Sequence, residues 1–282
     1  MRSCAEFNKR PSQAVFTLRE LRQLPYSAVN ELSFLKASFG SLFVLAALIA
    51  LWWATSHAGW VSRVFLPTPE ATLASLREGL FGGELGAFTL ATVGRMVEGW
   101  LLASVVGVAL GALIGISPTA RAYLQPTLEF VRPLPASALL PLAISVFGLN
   151  PAMVLAVVAF GAMWPVLLAT VHGFANVEPR LLEVARCLQL GRAAFVWKVG
   201  LPNALPDILA GMRLSLTVSL IVAVVGEMIA SQSGLGQAIL LAARAFRASE
   251  LFAGIVLLGA IGFASNALLG FAERRLLKWQ TP

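Results

Sequence analysis

Three charged residues, Arg95, Glu98 and Glu227, lie inside long apolar stretches of the sequence. A charge within a membrane span is unfavourable, so such residues are usually paired or line the path of a transported solute. Arg95 and Glu98 would be neighbours on one helix face, where they either neutralise each other or offer an anion a contact. Glu227 either lines the same path or caps a short segment that begins at Ser231. All three are therefore candidates for a translocation pathway.

The sequence shows no catalytic or metal-binding pattern. Its two histidines, His57 and His172, are isolated from each other and from the two cysteines, Cys4 and Cys187. A phosphate-binding loop of the Gly-x4-Gly-Lys-Ser/Thr type is absent, so we do not expect this chain to hydrolyse ATP. We expect a chain that is not an enzyme and that holds no metal or cofactor of its own.

The composition is that of an integral membrane protein. Of the 282 residues, 58% are hydrophobic and 12% are charged, and the mean hydropathy is +0.80. A soluble domain usually has about 25% charged residues. The net charge is +7, and the basic residues flank apolar blocks without forming a basic stripe with interleaved aromatics. This pattern indicates a lipid bilayer and argues against nucleic acid as a partner.

Apolar stretches of about 20 residues predict an all-α fold with six transmembrane helices. A tail at 1–36, with an amphipathic helix near 16–24, precedes a membrane domain at 37–276 and a second tail at 277–282. The uncharged stretch 133–177 is too long for one span, and the turn 148–151 divides it. Prolines crowd the third span, which is kinked or begins before Pro133. The predicted spans are 37–62, 89–116, one that ends near 147, 151–171, 208–230 and 251–272, with room for a short helix in 231–250.

Three glycines recur every four positions in the second predicted span, at Gly107, Gly111 and Gly115. This spacing places them on one face of a helix. Because glycine has no side chain, another helix can approach such a face closely. We therefore expect a tight helix–helix contact there.

The distribution of lysine and arginine predicts the orientation of the spans. With the N-terminus in the cytosol, 16 of the 21 lysines and arginines fall on the cytosolic side and 4 on the opposite side. Arg95 is the remaining one and lies within a span. We expect a multi-pass protein of the inner (plasma) membrane with both termini in the cytosol.

The segment 178–206, between the fourth and fifth spans, is polar, basic and longer than a simple connector. Its pattern predicts two short amphipathic helices joined by a turn at 189–192, and Pro202 is expected to end the second helix. Ala185 lies on the apolar face of the first helix, together with Leu181 and Leu188. Such a segment either lies on lipid headgroups or docks a cytosolic partner, and its residues alone leave both open.

This segment resembles the EAA loop of ABC importer permeases, which forms coupling helices that seat in a groove on an ATPase subunit. The positions that match the loop are Glu183, Ala185, Gly191, Val199, Leu201 and Pro202. Gln189 stands where the family has a glycine, and Val184 where it has an alanine. Since glycine relaxes strain in a turn, we expect the turn at Gln189 to differ in geometry from the usual turn of the family.

The resemblance covers residues 65–279, and its segments are similar, in the same order, to those of the nitrate/sulfonate/taurine branch of the family. This branch also includes permeases for pyrimidine precursors of thiamine. The segments that carry it are FLPTPEA, LEFVRPLPASALLPLAISVFGL, NVEPRLLEVAR, GEMIASQSGLG and AERRLLKW. It implies the permease subunit of an ATP-driven importer for a small oxyanion such as a sulfonate, taurine or nitrate. A neutral thiamine-precursor pyrimidine, with Trp100 or Phe147 as stacking surfaces, is the alternative substrate, and an ion-coupled carrier without an ATPase is a further alternative.

The resemblance also implies the partners. They are a second copy of the permease, cytosolic subunits that bind and use ATP, and an extracytoplasmic solute-binding protein. In this interpretation, Arg95 would contact the anion within the membrane unless Glu98 already neutralises it.

Overall fold

The computed structural model describes residues 26–278, with side chains from residue 40 onward except that of Arg192. Its regular structure is helical, and no strand occurs within this range. The helices are α1 Tyr26–His57, α2 Pro69–Phe81, α3 Leu85–Ile116, α4 Pro118–Val131, α5 Leu140–Phe147, α6 Pro151–Ala175, α7 Pro179–Cys187, α8 Arg192–Phe195, α9 Leu201–Ala230, α10 Leu235–Arg244 and α11 Ala248–Leu276. Cys4, the amphipathic helix expected near 16–24 and residues 279–282 lie outside the described residues.

The chain divides into two units, Met1–Val61 and Ser62–Pro282. The described part of the first unit contains α1, whose apolar part Gly40–His57 is mostly exposed, as suits a helix surrounded by lipid. This helix begins at Tyr26, earlier than the predicted span start at residue 37.

The prediction of an all-α membrane fold is confirmed. Five described helices are long and apolar enough to cross a bilayer: α1, α3, α6, the continuous helix Ala193–Ala230 and α11. A sixth span is present if two consecutive helical segments, Pro118–Val131 and Ala136–Phe147, are counted together. The bend between these segments is 78°. The helix expected between the last two spans is present as α10.

The bend in this pair has its cause in the sequence around Arg132. Pro133 and Pro135 have no N–H to donate, so the backbone hydrogen bonds of the helix are interrupted here. Arg132 keeps α-helical dihedral angles, whereas Pro135 is extended with ψ of 120°. The helix therefore stops at Val131 and resumes through a 3-10 turn, Ala136–Leu139. Arg132, one of the 16 lysines and arginines that the charge count assigns to the cytosolic side, lies at this break between the two halves of the third span.

Helix α6 packs along both α3 and α9 and forms the centre of the second unit. The predicted glycine face of α3 lies against it. A Cβ atom on Gly107 would be 3.0 Å from the carbonyl oxygen of Met163, and one on Gly111 would be 2.6 Å from Cβ of Thr170. On the other side of α6, Ser215 of α9 donates a hydrogen bond of 2.6 Å to the carbonyl oxygen of Ala162. The expected tight contact is therefore present.

The prediction that Pro202 ends a short helix was wrong. The chain stays helical from Arg192 to Ala230, through a π-helical turn, Val196–Gly200, that leads into α9. Pro202 follows this π-helical turn directly and is the second residue of α9. The N–H of Leu201 donates to the carbonyl oxygen of Val196, so the wider turn carries the helix up to the proline. The fifth span therefore begins before the predicted residue 208.

The contact between α3 and α6 predicts that Gly111→Ala destabilises the protein. The new methyl group would overlap Thr170, and such overpacking typically costs about 1–3 kcal/mol. Gly94→Ala, on the same helix, is the matched control, because no atom lies within 4 Å of its Cβ position. The measurement is the melting temperature of the purified protein in detergent. Equal melting temperatures for the two variants would contradict this account of the packing.

Candidate functional site

Glu227 is fully buried in α9 although it carries a carboxylate. Its Oε1 atom accepts a hydrogen bond from the guanidinium of Arg95 on α3. Its Oε2 atom accepts two more, each of 2.9 Å, from the hydroxyl of Thr92 and from the backbone N–H of Gly236. We refer to Thr92, Arg95 and Glu227, with the backbone of residues 233–236, as the Glu227 cluster.

The cluster supplies hydrogen-bond acceptors for the backbone N–H groups in the first turn of α10. The N–H groups at the start of a helix have no partner within the helix. Here the hydroxyl of Thr92 accepts from the N–H of Leu235 at 2.9 Å, and the carboxylate of Glu227 accepts from that of Gly236. Arg95 also donates to the carbonyl oxygen of Ser233 at 2.8 Å. A negative charge near a helix N-terminus is favourable, so the cluster seats α10 against α3 and α9.

The glycines of the Ser-Gly-Leu-Gly segment make this arrangement possible. A Cβ atom on Gly234 would overlap the carboxylate of Glu227, and one on Gly236 would overlap the carbonyl oxygen of Val224. Ser231, which ends α9, has the left-handed backbone conformation with φ of 51°. The chain therefore reverses tightly enough to bring the start of α10 onto the carboxylate.

The ion pair expected between Arg95 and Glu98 is not formed. Arg95 pairs with Glu227 from another helix, whereas the side chain of Glu98 is exposed and has no hydrogen bond or ion pair to any described residue. The geometry of Glu227 is that of the capping alternative, and its path-lining role stays a prediction. Thr92 escaped the sequence analysis, because a threonine in an apolar span carries no signal until its partners are known.

The Glu227 cluster predicts that Arg95→Gln destabilises the protein, because a buried carboxylate would lose its counter-charge. Removing one partner of a buried ion pair typically costs about 3–5 kcal/mol. The double variant Arg95→Gln with Glu227→Gln should recover part of the lost stability, since no unpaired charge remains. Both effects are measured as changes in melting temperature in detergent.

Arg247→Gln is the control for this prediction. Arg247 forms an ion pair of 2.8 Å with Glu250, and the two side chains are 56% and 49% exposed. Such surface pairs contribute little to stability. Equal losses for Arg95→Gln and Arg247→Gln would contradict the role assigned to the cluster.

The turn after α7 is closed by the backbone. The N–H of Leu190 donates to the carbonyl oxygen of Ala185 at 3.0 Å, and Gln189 is left-handed with φ of 49°. This geometry is the Schellman ending of a helix, in which glycine usually occupies the left-handed position. Gln189, and not Gly191, therefore occupies the strained position of the turn.

The residues proposed for coupling lie around this turn with different exposure. Ala185 is buried, and Val199 and Leu201 are half-buried. Glu183, Gly191 and Pro202 are exposed, as are three apolar side chains of α7: Leu181, Val184 and Leu188, which are 39%, 54% and 66% exposed. The first helix thus buries one part of its apolar surface and leaves another part exposed.

The comparison with protein families identifies the chain. The profile of the family described as binding-protein-dependent transport system inner membrane component matches residues 104–278. The chain belongs to this family. The match begins within the second half of α3 and continues to the end of α11, so it contains Glu227 and the loop with α7.

Three relatives of this permease are named for sulfonates, taurine and nitrate. The putative aliphatic sulfonates transport permease protein SsuC of Bacillus subtilis is 36% identical over 85% of this chain and 87% of its own length. The taurine transport system permease protein TauC of Escherichia coli is 31% identical over 85% and 89%. The nitrate import permease protein NrtB of Leptolyngbya laminosa is 32% identical over 66% and 67%. The predicted membership in this branch of ABC importer permeases is confirmed.

Solved structures of ABC transporters share the fold. The inward-facing MetNI methionine transporter gives a TM-score of 0.59 at 21% identity, over 70% of this permease and 96% of the matched chain. An amino acid ABC transporter with histidines gives 0.57 at 21% identity, over 72% and 98%. The relatives are transport permeases, as predicted for a chain that is not an enzyme. Among the described residues, no group of three or more His, Cys, Asp or Glu is placed to hold a metal ion.

Proposed function

We propose that this permease is the membrane subunit of an ATP-driven importer for a small oxyanion such as a sulfonate, taurine or nitrate. The observation that carries the proposal is the alignment, over 85% of the chain, with permeases named for aliphatic sulfonates and taurine. The neutral pyrimidine is not favoured, because none of the relatives named above is named for such a substrate. Family membership also argues against an ion-coupled carrier without an ATPase.

The exposed surface of α7 is the proposed docking site for a cytosolic ATPase subunit. Leu181, Val184 and Leu188 lie on one side of this helix and are exposed. A partner that buries them would gain the apolar contact that the centre of an interface usually has. Glu183 is exposed on the opposite side of the same helix, and its contact with the partner is proposed from the resemblance to the EAA loop. ATP would then be bound and hydrolysed by that partner.

Two further partners follow from the same proposal. The family description itself names a binding protein, which would deliver the solute on the extracytoplasmic side. A second copy of the permease would complete the membrane part of the importer, as the resemblance to ABC importer permeases implies. The solute would cross between helices that switch their accessible side when the ATPase subunits close.

The proposed docking predicts that Glu183→Lys uncouples the importer. Vesicles that contain the wild-type permease, its ATPase subunit and its binding protein should take up a labelled sulfonate, taurine or nitrate only when ATP is supplied. Glu183→Lys should insert normally, retain less ATPase subunit on purification and lose most of this uptake. A lack of ATP-dependent uptake of all three anions by the wild type would refute the proposed function.

Glu84→Lys is the matched control for retention of the ATPase subunit. It is the same charge reversal on an exposed side chain, and it lies at the opposite end of α3 from the loop. It should copurify with the ATPase subunit as well as the wild type does. Equal retention for Glu183→Lys would contradict the docking assignment.

The charge distribution leads us to propose that both termini, and the loop that contains α7, face the cytosol. Cys187 is an exposed free cysteine in this loop. With Cys4 replaced by Ser, a membrane-impermeant maleimide should label Cys187 only after the cells are permeabilised. Labelling in intact cells would reverse the orientation, and a single cysteine placed at the exposed position Ser62 serves as the control for labelling from outside.

A further inference from the structure

A cavity of about 520 Å³ lies beside the break in the third span. It is bounded by Arg132 and Leu134 from the break, by Trp164 and Leu168 from the middle and second half of α6, and by Leu214 from α9. Small residues of α6 line the rest of its wall, and one of them, Gly161, lets Ala136 of the 3-10 turn contact α6. Broken helices near the middle of the membrane are frequent substrate sites in transporters.

Arg132 provides this cavity with an unneutralised positive charge. Two other arginines of the membrane domain are neutralised by carboxylates, Arg95 by Glu227 and Arg213 by Glu273. Arg132 is exposed, and its side chain has no hydrogen bond or ion pair to any described residue. No acidic side chain of the described chain lines the cavity. Its electrostatic character is therefore that of a receptor for an anion.

Trp164 forms part of the cavity wall. The residue is 8% exposed, and its indole N–H is buried with no acceptor in the described part of the chain. Its ring packs edge-on against Phe160 with 5.7 Å between ring centres, so the side chain is held in place on the cavity wall. Because this N–H is itself buried, an occupant of the cavity would contact the ring of Trp164 and not its donor.

We propose that this cavity is the intramembrane binding site for an anion that carries a short apolar chain. The guanidinium of Arg132 would hold the oxyanion head, since its planar donors match sulfonate oxygens in pairs. The chain would lie along Leu134, Leu168 and Leu214. The cavity is within the range of about 300–1,000 Å³ usual for small-molecule sites, and it is much larger than a nitrate ion requires. The ammonium group of taurine would find no carboxylate on its wall.

This site rests on the proposed function but assigns the anion to Arg132 and not to Arg95. The carboxylate of Glu227 already neutralises Arg95, and a second nitrogen of the guanidinium donates to the carbonyl oxygen of Ser233. An anion at Arg95 would have to displace these partners from a buried cluster. An anion at Arg132 displaces none from the described chain.

The test uses the full-length permease with its ATPase subunit, in nanodiscs of neutral phosphatidylcholine, and measures the rise in melting temperature with added butane-1-sulfonate. The wild type should be stabilised, and more strongly than by nitrate or taurine. Arg132→Gln should raise the half-maximal concentration by about tenfold or more, as expected for the loss of a charge-assisted hydrogen bond. Arg132→Lys should retain part of the response. Arg77→Gln, at an exposed arginine of α2, should match the wild type.

Three results would overturn the site. They are an unchanged response in Arg132→Gln, an equal response to the cation butyltrimethylammonium, and stabilisation by anionic phosphatidylglycerol discs with none by butane-1-sulfonate. The last result would assign the cavity to a lipid headgroup. ATP-dependent uptake by the wild-type complex is scored separately, so failure of the proposed function and failure of the site are distinguishable.

Discussion

Close backbone contact between α6 and its two neighbours is the constraint on which the second unit depends. Lipid is as apolar as the helix surfaces, so burial of apolar side chains does not drive helices together in a membrane as it does in water. Close van der Waals contact and hydrogen bonds across the interface have to do so. The glycines of α3 remove side chains where α6 approaches, and Ser215 of α9 binds a carbonyl oxygen of α6. Larger residues on these faces would move the helices apart and separate the groups that they carry.

The Glu227 cluster depends on that contact. Thr92 and Arg95 come from α3, Glu227 from α9, and the N–H groups of Leu235 and Gly236 from the start of α10. A carboxylate buried within these helices is tolerable only when its counter-charge and hydrogen-bond donors are all in place. The same interactions occupy Arg95, which is why the proposed anion site lies at Arg132, at the break in the third span. The ion pair between Arg95 and Glu227 thus influences which arginine a bound anion would contact.

The turn after α7 is stabilised by hydrogen bonds between residues that are close in sequence. The turn needs a left-handed residue, and Gln189 adopts that conformation where glycine would be easier. Its hydrogen bonds come from backbone groups a few residues away, so the turn keeps its geometry without the glycine. The exposed apolar side chains of α7 remain available for a partner. Departure from the usual residue at position 189 therefore leaves the proposed docking surface intact.

The sequence by itself determined what depends on neighbouring residues. Apolar stretches marked the spans, prolines marked the break near Arg132, and the spacing of Gly107, Gly111 and Gly115 marked a contact face, because helix periodicity and backbone sterics act over a few residues. Only the tertiary structure decided which groups meet across helices. It paired Arg95 with Glu227 instead of Glu98 and brought Thr92 to the same carboxylate, since such contacts depend on how separate helices rotate and shift against each other. It also showed that Pro202 continues a helix, because a preceding π turn, absent from any local pattern, leads the chain into it.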